Sequence, residues 1–258
     1  MKKQFQIFAV TIIATAIVSC SKQGVETPTD QQIQSEEFAT RSSTPSRPVI
    51  DPLSVNLEGY YPFNGNLKDL TKKLADGVRM PLLRGSYGLY TYDRKGVANA
   101  ALKFDGNYYV TIANVPVQQK MSVSFWVRKF TANYGNVGSI LRHNSTGLEV
   151  NQVDDQFWGR VMSYTNDQSQ TSIWSNSFED TKWHHIVVTY SDEAMTMYVD
   201  NQLQANTTNV FTVIDKFTKY LLGYAHGFSG QYWKGDIDEL RFYSRTLSAS
   251  DVSALYKK

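Results

Sequence analysis

The sequence predicts an all-β domain, a two-sheet antiparallel sandwich with a short C-terminal helix. Three observations point there. Tyr, Phe and Trp make up 13% of the 258 residues, while charged residues make up only 19%. From Asn56 onward, short runs rich in Val, Ile, Tyr, Phe and Trp alternate with turn residues, the pattern of half-buried strands. The one persuasive helical stretch lies at the very end. Many short strands with close turns argue against a parallel α/β sheet.

In chain order, the strand candidates begin with LEGYYPF (57–63), ALKF (101–104), YYVTI (108–112) and SVSFWVRKF (122–130). GSILRH (138–143), QFWGRVMSY (156–164), TSIW (171–174) and WHHIVVTY (183–190) come next. MTMYVD (195–200), KYLLGYA (219–225) and DIDELRFYS (236–244) complete the set. In MTMYVD, Met195, Met197 and Val199 share one face. Asp200-Asn201 then reads as a hairpin turn, since both residues tolerate positive φ. Ser248 is placed to cap the final helix, with Asp251 in its first turn and Val252 and Leu255 as its apolar side.

The chain ahead of this domain reads differently. Lys2 and Lys3 precede an apolar run from Ile7 to Val18. That run of about a dozen residues is too short for a comfortable membrane span but suits a secretory signal. It exits through Ile17-Val18-Ser19-Cys20, which resembles the lipobox of bacterial lipoproteins. The resemblance implies acylation of Cys20. Ser21, in place of an aspartate, points to the outer membrane, and display at the cell surface is the expectation. Residues 20–49 are polar and hold Pro28, Pro45 and Pro48, and such a stretch cannot bury enough surface to order itself. A flexible tether of this length spans roughly 30 Å. The expected organisation is a signal at 1–19, a lipidated cysteine and tether at 20–49, and one folded domain at 50–258.

Charge and cysteine exclude several functions. Without Lys2 and Lys3 the 26 basic residues fall to 24, matching the 24 acidic ones. A neutral chain lacks the basic footprint of nucleic-acid binding. The lone Cys20 excludes an internal disulfide framework and a cysteine zinc site.

Several blocks, in order, resemble the laminin-G-like jelly-roll domains of the concanavalin A-like lectin/glucanase fold. They are GYYPFNGNLKD, ALKFDGNYYVTI, SVSFWVR, WHHIVVTYS, MTMYVDNQL and GDIDELRFYSRTLSASDVSALY, running from about Leu57 to Tyr256. The resemblance implies two curved sheets with a concave face used for binding, in a lipoprotein of the Bacteroidota style. It also implies core roles for Trp126 and Trp183, and a structural role for Asp238 and Glu239. A structural calcium is a further implication, held near Asn64, Asp69 and Asp238. Asn64 replaces the family's usual aspartate, and LTKKLADG replaces its Gly-rich loop.

Catalytic patterns are not found. A retaining glycosidase needs two carboxylates on one strand face about 5–5.5 Å apart. Asp236 and Asp238 share a face but Glu239 points away, and Glu149 is followed at its second neighbour by Asn151. Adjacent His184 and His185 point to opposite faces and cannot both bind one metal. His143 and His226 read as isolated loop or rim residues.

Glycan binding needs flat aromatic faces with a few orienting polar groups. Trp158, Arg160 and Tyr164 share one face of their strand, with Phe157 and Val161 on the other. Alternation alone leaves either face free to meet the core; placing Phe157 and Val161 inward exposes the aromatic-basic set. Trp174 lies on the next strand. The segment GYAHGFSGQYW adds Tyr224, His226, Tyr232 and Trp233 among glycines, a composition suited to a recognition loop. The expected function is an outer-membrane, lipid-anchored, non-catalytic carbohydrate-binding protein whose partner is a polysaccharide or glycoconjugate. The alternatives are an adhesion module for a surface protein and, third, a glycoside hydrolase.

Overall fold

The structure is a computed structural model that describes residues 51–81, 89–130, 137–144, 146–163, 170–208, 210, 217–224 and 232–258. Cys20, Tyr164 and His226 lie outside the described residues. The order begins with a 3-10 turn at Pro52–Ser54, then β1 (Leu57–Tyr61), β2 (Val78–Pro81), β3 (Tyr90–Thr91), β4 (Ala101–Asp105) and β5 (Tyr108–Pro116). Next come β6 (Met121–Lys129), β7 (Val137–His143), β8 (Thr146–Val153), β9 (Gln156–Ser163) and β10 (Gln170–Ser177). The last are β11 (His184–Tyr190), β12 (Met195–Val199), β13 (Gln202–Thr207), β14 (Phe217–Leu222), β15 (Lys234–Tyr243) and α1 (Ala249–Tyr256).

These strands form two antiparallel sheets. One has eight strands in the order β13-β12-β11-β6-β15-β4-β3, with β1 also paired to β15. The other has seven, in the order β10-β9-β8-β7-β14-β5-β2. Their inner faces meet in a core that includes Phe104, Ile112, Phe125, Val150, Val161, Ile186, Met197 and Phe242. The period-two alternation read in MTMYVD is seen directly, with Met195, Met197 and Val199 buried. Asp200 and Asn201 take φ of 50° and 64° in the β12–β13 turn, the left-handed geometry that Asp and Asn tolerate.

The outer face of the eight-stranded sheet is covered by the chain itself. Val187 and Tyr243 leave that sheet to pack with Leu53, Leu247, Val252 and Leu255. This explains why every residue of β11 is buried: its inner residues meet the sandwich core and its outer ones meet α1. The helix starts at a capping box. Ser248 Oγ accepts from the Asp251 N–H at 3.2 Å, and the Asp251 carboxylate accepts from the Ser248 N–H at 2.9 Å. Arg245 bonds the same carboxylate at 2.7 Å and, with Ser248, holds it down at about 2.

Two tryptophans expected in the core are not there. On β6 the inward positions are Met121, Val123, Phe125 and Val127, so Trp126 must face out. It stacks on Tyr256 at 5.5 Å and 18°, with the Arg94 guanidinium 4.7 Å from its ring. Trp183 precedes β11, half-buried, with the Arg128 guanidinium 5.0 Å away. The expectation fails because a match to a family block places a tryptophan along the chain without saying which face of the sheet it serves.

Strands β2, β3, β8 and β13 had no clear sequence signal. The first two are short, and β13 is a polar, largely exposed edge strand. β8 reads TGLEVNQV, with no aromatic residue. It runs through the middle of the seven-stranded sheet, between β7 and β9.

Candidate functional site

The site is built on the outer face of the seven-stranded sheet. On β8, Leu148, Val150 and Gln152 point inward, so Glu149 and Asn151 point outward. On β9, Phe157 and Val161 enter the core, which sends Trp158 and Arg160 outward as favoured from sequence. Gly159 also faces in, where a side chain would press on Met197 and Val188. On β10, Ile173 is buried and Trp174 is 42% exposed.

Register then aligns these strands. Ser139 pairs with Asn151, Asn151 with Trp158, and Trp158 with Trp174. Opposed residues of paired strands share a face, so the four side chains form one row across β7, β8, β9 and β10. Trp158 and Trp174 stack 5.1 Å apart at 7°. The Arg160 guanidinium lies 4.5 Å from the Trp158 ring, within cation–π range.

Beside this row sits a charged cluster. Arg160 Nε donates to Glu149 Oε2 at 2.5 Å, and Arg142 Nε is 3.3 Å from Oε1. His143 Nε2 is also 3.3 Å from Oε1. Contrary to the rim position expected for it, His143 is buried. Burial, with Arg142 and Arg160 nearby, depresses its pKa to about 3, so the ring stays neutral despite the carboxylate.

The row also contains buried polar atoms without partners. They are Ser139 Oγ, both amide atoms of Asn151 and Trp158 Nε1. A buried donor or acceptor left unpaired costs roughly 1–3 kcal/mol, so each calls for a partner.

A second aromatic group lies at the other side of the same sheet. Tyr109, Tyr224 and Tyr232 stack in series, at 4.8 Å and 24°, then 4.9 Å and 21°. Tyr109 alternates with core-facing Tyr108 and Val110, so it too points outward. Leu222 pairs with both Val110 and Leu141, and Leu141 with Val150. Stepping one residue on from that level reaches Tyr109 on β5 and Asn151 on β8.

One expectation needs correction. Trp233 is a core residue, 1% exposed, and not part of a recognition loop surface. It occupies a slot where a Cβ on Gly138 or Gly235 would collide with it, and its Nε1 donates to Gln152 Oε1 at 2.9 Å. The residues implied for calcium are engaged within the chain. Asp69 accepts from the N–H groups of Tyr60, Thr71, Lys73 and Leu74 and from the Thr71 hydroxyl, all between 2.7 and 3.0 Å. Burial works to raise its pKa, but these donors hold it below the ordinary value. Asp238 accepts from Arg94 at 2.6 Å, so a guanidinium stands where a cation would bind. Burial and Glu239 still push Asp238 up to about 7. Asn64 is exposed, and its carbonyl accepts from Asn66. Among the described residues, no group of three or more His, Cys, Asp or Glu is placed to hold a metal ion.

Histidines 184 and 185 do face opposite ways. His184 bonds Asp200 and Asp180 at 2.7 and 2.8 Å, while His185 bonds Ser124 at 2.9 Å. Sequence reasoning missed Ser139 and Arg142 as site residues, and noted Glu149 and Asn151 only as a failed acid pair. The signal for Glu149 and Asn151 was alternation within TGLEVNQV, which becomes visible once β8 is recognised, whereas Ser139 and Arg142 lie on β7.

The two-sheet order and the blocks along it decide the family. Residues 104–253 match the laminin G sequence model of the concanavalin A-like lectin/glucanases superfamily. The chain belongs to this superfamily. Among solved structures, it is similar to domain 4 of AbnA, a GH43 extracellular arabinanase from Geobacillus stearothermophilus, in complex with arabinotriose. The TM-score is 0.61 at 18% identity, covering 78% of this chain and 98% of that one. It is also similar to the binding domain of botulinum neurotoxin DC in complex with SialylT, with a TM-score of 0.58 at 14% identity, covering 80% of this chain and 52% of that one. The same toxin domain in complex with rat synaptotagmin II gives 0.58 at 15% identity, covering 78% and 51%. A 96-residue stretch is 32% identical to the non-toxic nonhemagglutinin of Paraclostridium bifermentans, covering 35% of this chain and 8% of that protein's length.

Proposed function

We propose that this protein is a non-catalytic glycan-binding protein, lipid-anchored to the outer membrane through Cys20, with the outer face of the seven-stranded sheet as its binding surface. The stacked pair Trp158–Trp174, with Trp174 left 42% exposed at the sheet edge, carries the reading. Flat aromatic faces suit the apolar side of a sugar ring. Neighbours of the same fold that hold arabinotriose and SialylT support it.

The acids favour binding over hydrolysis. Among the described strand residues of this sheet, Glu149 is the one carboxylate. It is already engaged by Arg142 and Arg160, and a glycosidase needs two carboxylates flanking the bond. The second reading is a protein-interaction module, favoured by the neighbour in complex with synaptotagmin II.

Retention on a polysaccharide panel tests the choice. Retention that is lost in Trp158→Ala supports glycan binding at this face. Failure to bind any glycan, with capture of a defined protein ligand, reverses the order, and release of reducing sugar promotes the hydrolase. For the anchor, Cys20→Ala should leave the membrane fraction; a variant that still fractionates with the outer membrane removes lipidation from the account.

A further inference from the structure

Between β10 and β11 the chain crosses from the seven-stranded sheet to the eight-stranded one. A single side chain ties this crossover down. His184, the first residue of β11, pairs with core-facing Val127 and so turns inward. It meets the rings of Phe157 and Phe178 at 6.2 and 4.8 Å. Its Nδ1 lies 2.7 Å from Asp200 Oδ2 in the β12–β13 turn, and its Nε2 lies 2.8 Å from Asp180 Oδ1 in the crossover. An ionised carboxylate only accepts hydrogen bonds, and a neutral imidazole has one N–H to give. Both bonds therefore exist together only while the ring carries two protons.

The two carboxylates are held unequally. Asp200 Oδ1 also accepts from the His185 N–H at 2.8 Å, and the Asp200 N–H donates to the His185 carbonyl at 2.9 Å. The Asp180 side chain is 42% exposed, and its other partners are the Lys182 N–H at 3.0 Å and the Lys182 ammonium at 3.5 Å. Burial disfavours charge on His184, but its bonds to Asp200 and Asp180 outweigh this and raise its pKa above the ordinary 6.5. Burial also works to raise Asp180, while the Lys182 N–H and His184 hold it below the ordinary value. The remaining charges at this end are engaged elsewhere or face water. Lys129 bonds Asp155 at 2.8 Å and the Phe178 carbonyl, Arg128 bonds Asp236, and Glu179 is exposed.

We propose that Asp180, His184 and Asp200 form a pH-operated latch on the crossover between the sheets, closed while the imidazolium bonds both carboxylates and opened when the ring gives its Nε2 proton to water. Nδ1 keeps its proton, because Asp200 cannot withdraw without breaking the turn. Nε2 then presents a lone pair to the Asp180 carboxylate, and neither group has a proton to share. Asp180 turns to solvent and residues 179–182 come free. Opening stops at Phe178, whose N–H donates to the Asp155 carbonyl at 2.7 Å and whose carbonyl accepts from Lys129. It stops at the other end at Trp183, whose ring lies 5.0 Å from the Arg128 guanidinium. Histidine suits such a device because its charge changes near neutral pH. The latch does not depend on which ligand the protein takes.

The test is NMR titration of the full chain from about pH 5 to 9, following the ring nitrogens of His184. Amide hydrogen exchange of residues 179–182, corrected for the intrinsic pH dependence of exchange, is followed in parallel. His184 should titrate above 6.5. Protection of the 179–182 amides should fall roughly tenfold or more across the same midpoint, with the β12 amides unchanged. Asp180→Asn should move the His184 midpoint down toward 6.5, and this exposed position removes no core packing. An asparagine can accept from the protonated ring or donate to the neutral one, so protection should no longer follow pH. Protection that stays constant while the ring titrates overturns the latch. So does a His184 ring that holds a single proton at pH 5, and so does an Asp180→Asn variant whose protection still follows pH as in the wild type.

Discussion

The two sheets present outer faces built on the same alternation, yet the chain treats them differently. On the eight-stranded sheet, α1 lays Val252 and Leu255 over Val187 and Tyr243, and Tyr256 stacks on Trp126. The charges there are paired, Arg94 with Asp238 and Arg128 with Asp236. Unpartnered atoms occur on this side too, at Trp183 Nε1, Tyr243 Oη, one His185 nitrogen and one Asp236 oxygen. On the seven-stranded sheet, Asn151 has neither amide atom bonded, and its row neighbours Ser139 and Trp158 share the lack. A face closed by its own helix serves stability. A face that leaves Trp174 exposed beside Trp158 keeps an aromatic surface open to a ligand.

That contrast can be broken at several points. The largest effect belongs to residues that close the molecule. Trp233→Ala should cost about 3–5 kcal/mol, since it empties the slot between Gly138 and Gly235 and strands Gln152. Chemical denaturation measures it, and a loss below about 1 kcal/mol would return Trp233 to the surface. On the helix side, Leu255→Ala should cost about 2–5 kcal/mol, because Leu255 is buried against the outer face of the sheet.

Acid provides the next largest effect, and it touches both faces. His143 lies beside the charged cluster, and His185 lies under Tyr256. Burial and nearby arginines depress both to about 3 from an ordinary 6.5. Their contribution to stability is therefore present above pH 6.5 and lost as pH falls toward 3. In that window the unfolded chain binds more protons than the folded one, so stability falls as acid is added. His184 behaves oppositely. Burial disfavours its charge, but Asp200 and Asp180 raise its pKa overall, so its contribution is present below pH 6.5 and lost as pH rises through the raised value. Unfolding free energy measured between about pH 4 and 7 should fall with acid; His185→Gln should flatten the slope by about 1 kcal/mol per unit. An unchanged slope would mean that His185 titrates normally.

The smallest stability effects belong to the proposed binding face. Trp158→Ala should cost less than about 1.5 kcal/mol, its stacking with Trp174 being the main loss, while abolishing glycan retention. A loss of about 3 kcal/mol or more would make Trp158 a core residue. Calcium should change nothing: the unfolding midpoint in chelator should equal that in millimolar calcium, because Arg94 and main-chain N–H groups already occupy Asp238 and Asp69. An upward shift with calcium would restore a cation site.

The sequence by itself determined the all-β class, the final capped helix and the Asp200-Asn201 turn, while the inward placement of Phe157 and Val161 was decided by the packing of the two sheets. The first three depend on local alternation and backbone preference, which a single strand or turn displays. It also marked Trp158, Arg160 and Trp174. Tertiary structure alone decided which residues meet across strands. Register, a relation between distant segments, puts Asn151 beside Trp158 and Ser139, and no window of sequence contains it. Packing likewise drew Trp233 inward through two glycines far apart in the chain, and left Trp126 outside beneath a helix more than a hundred residues later. Aromatic content tells a strand from a loop, but the face that an aromatic side chain serves is settled only when the second layer arrives.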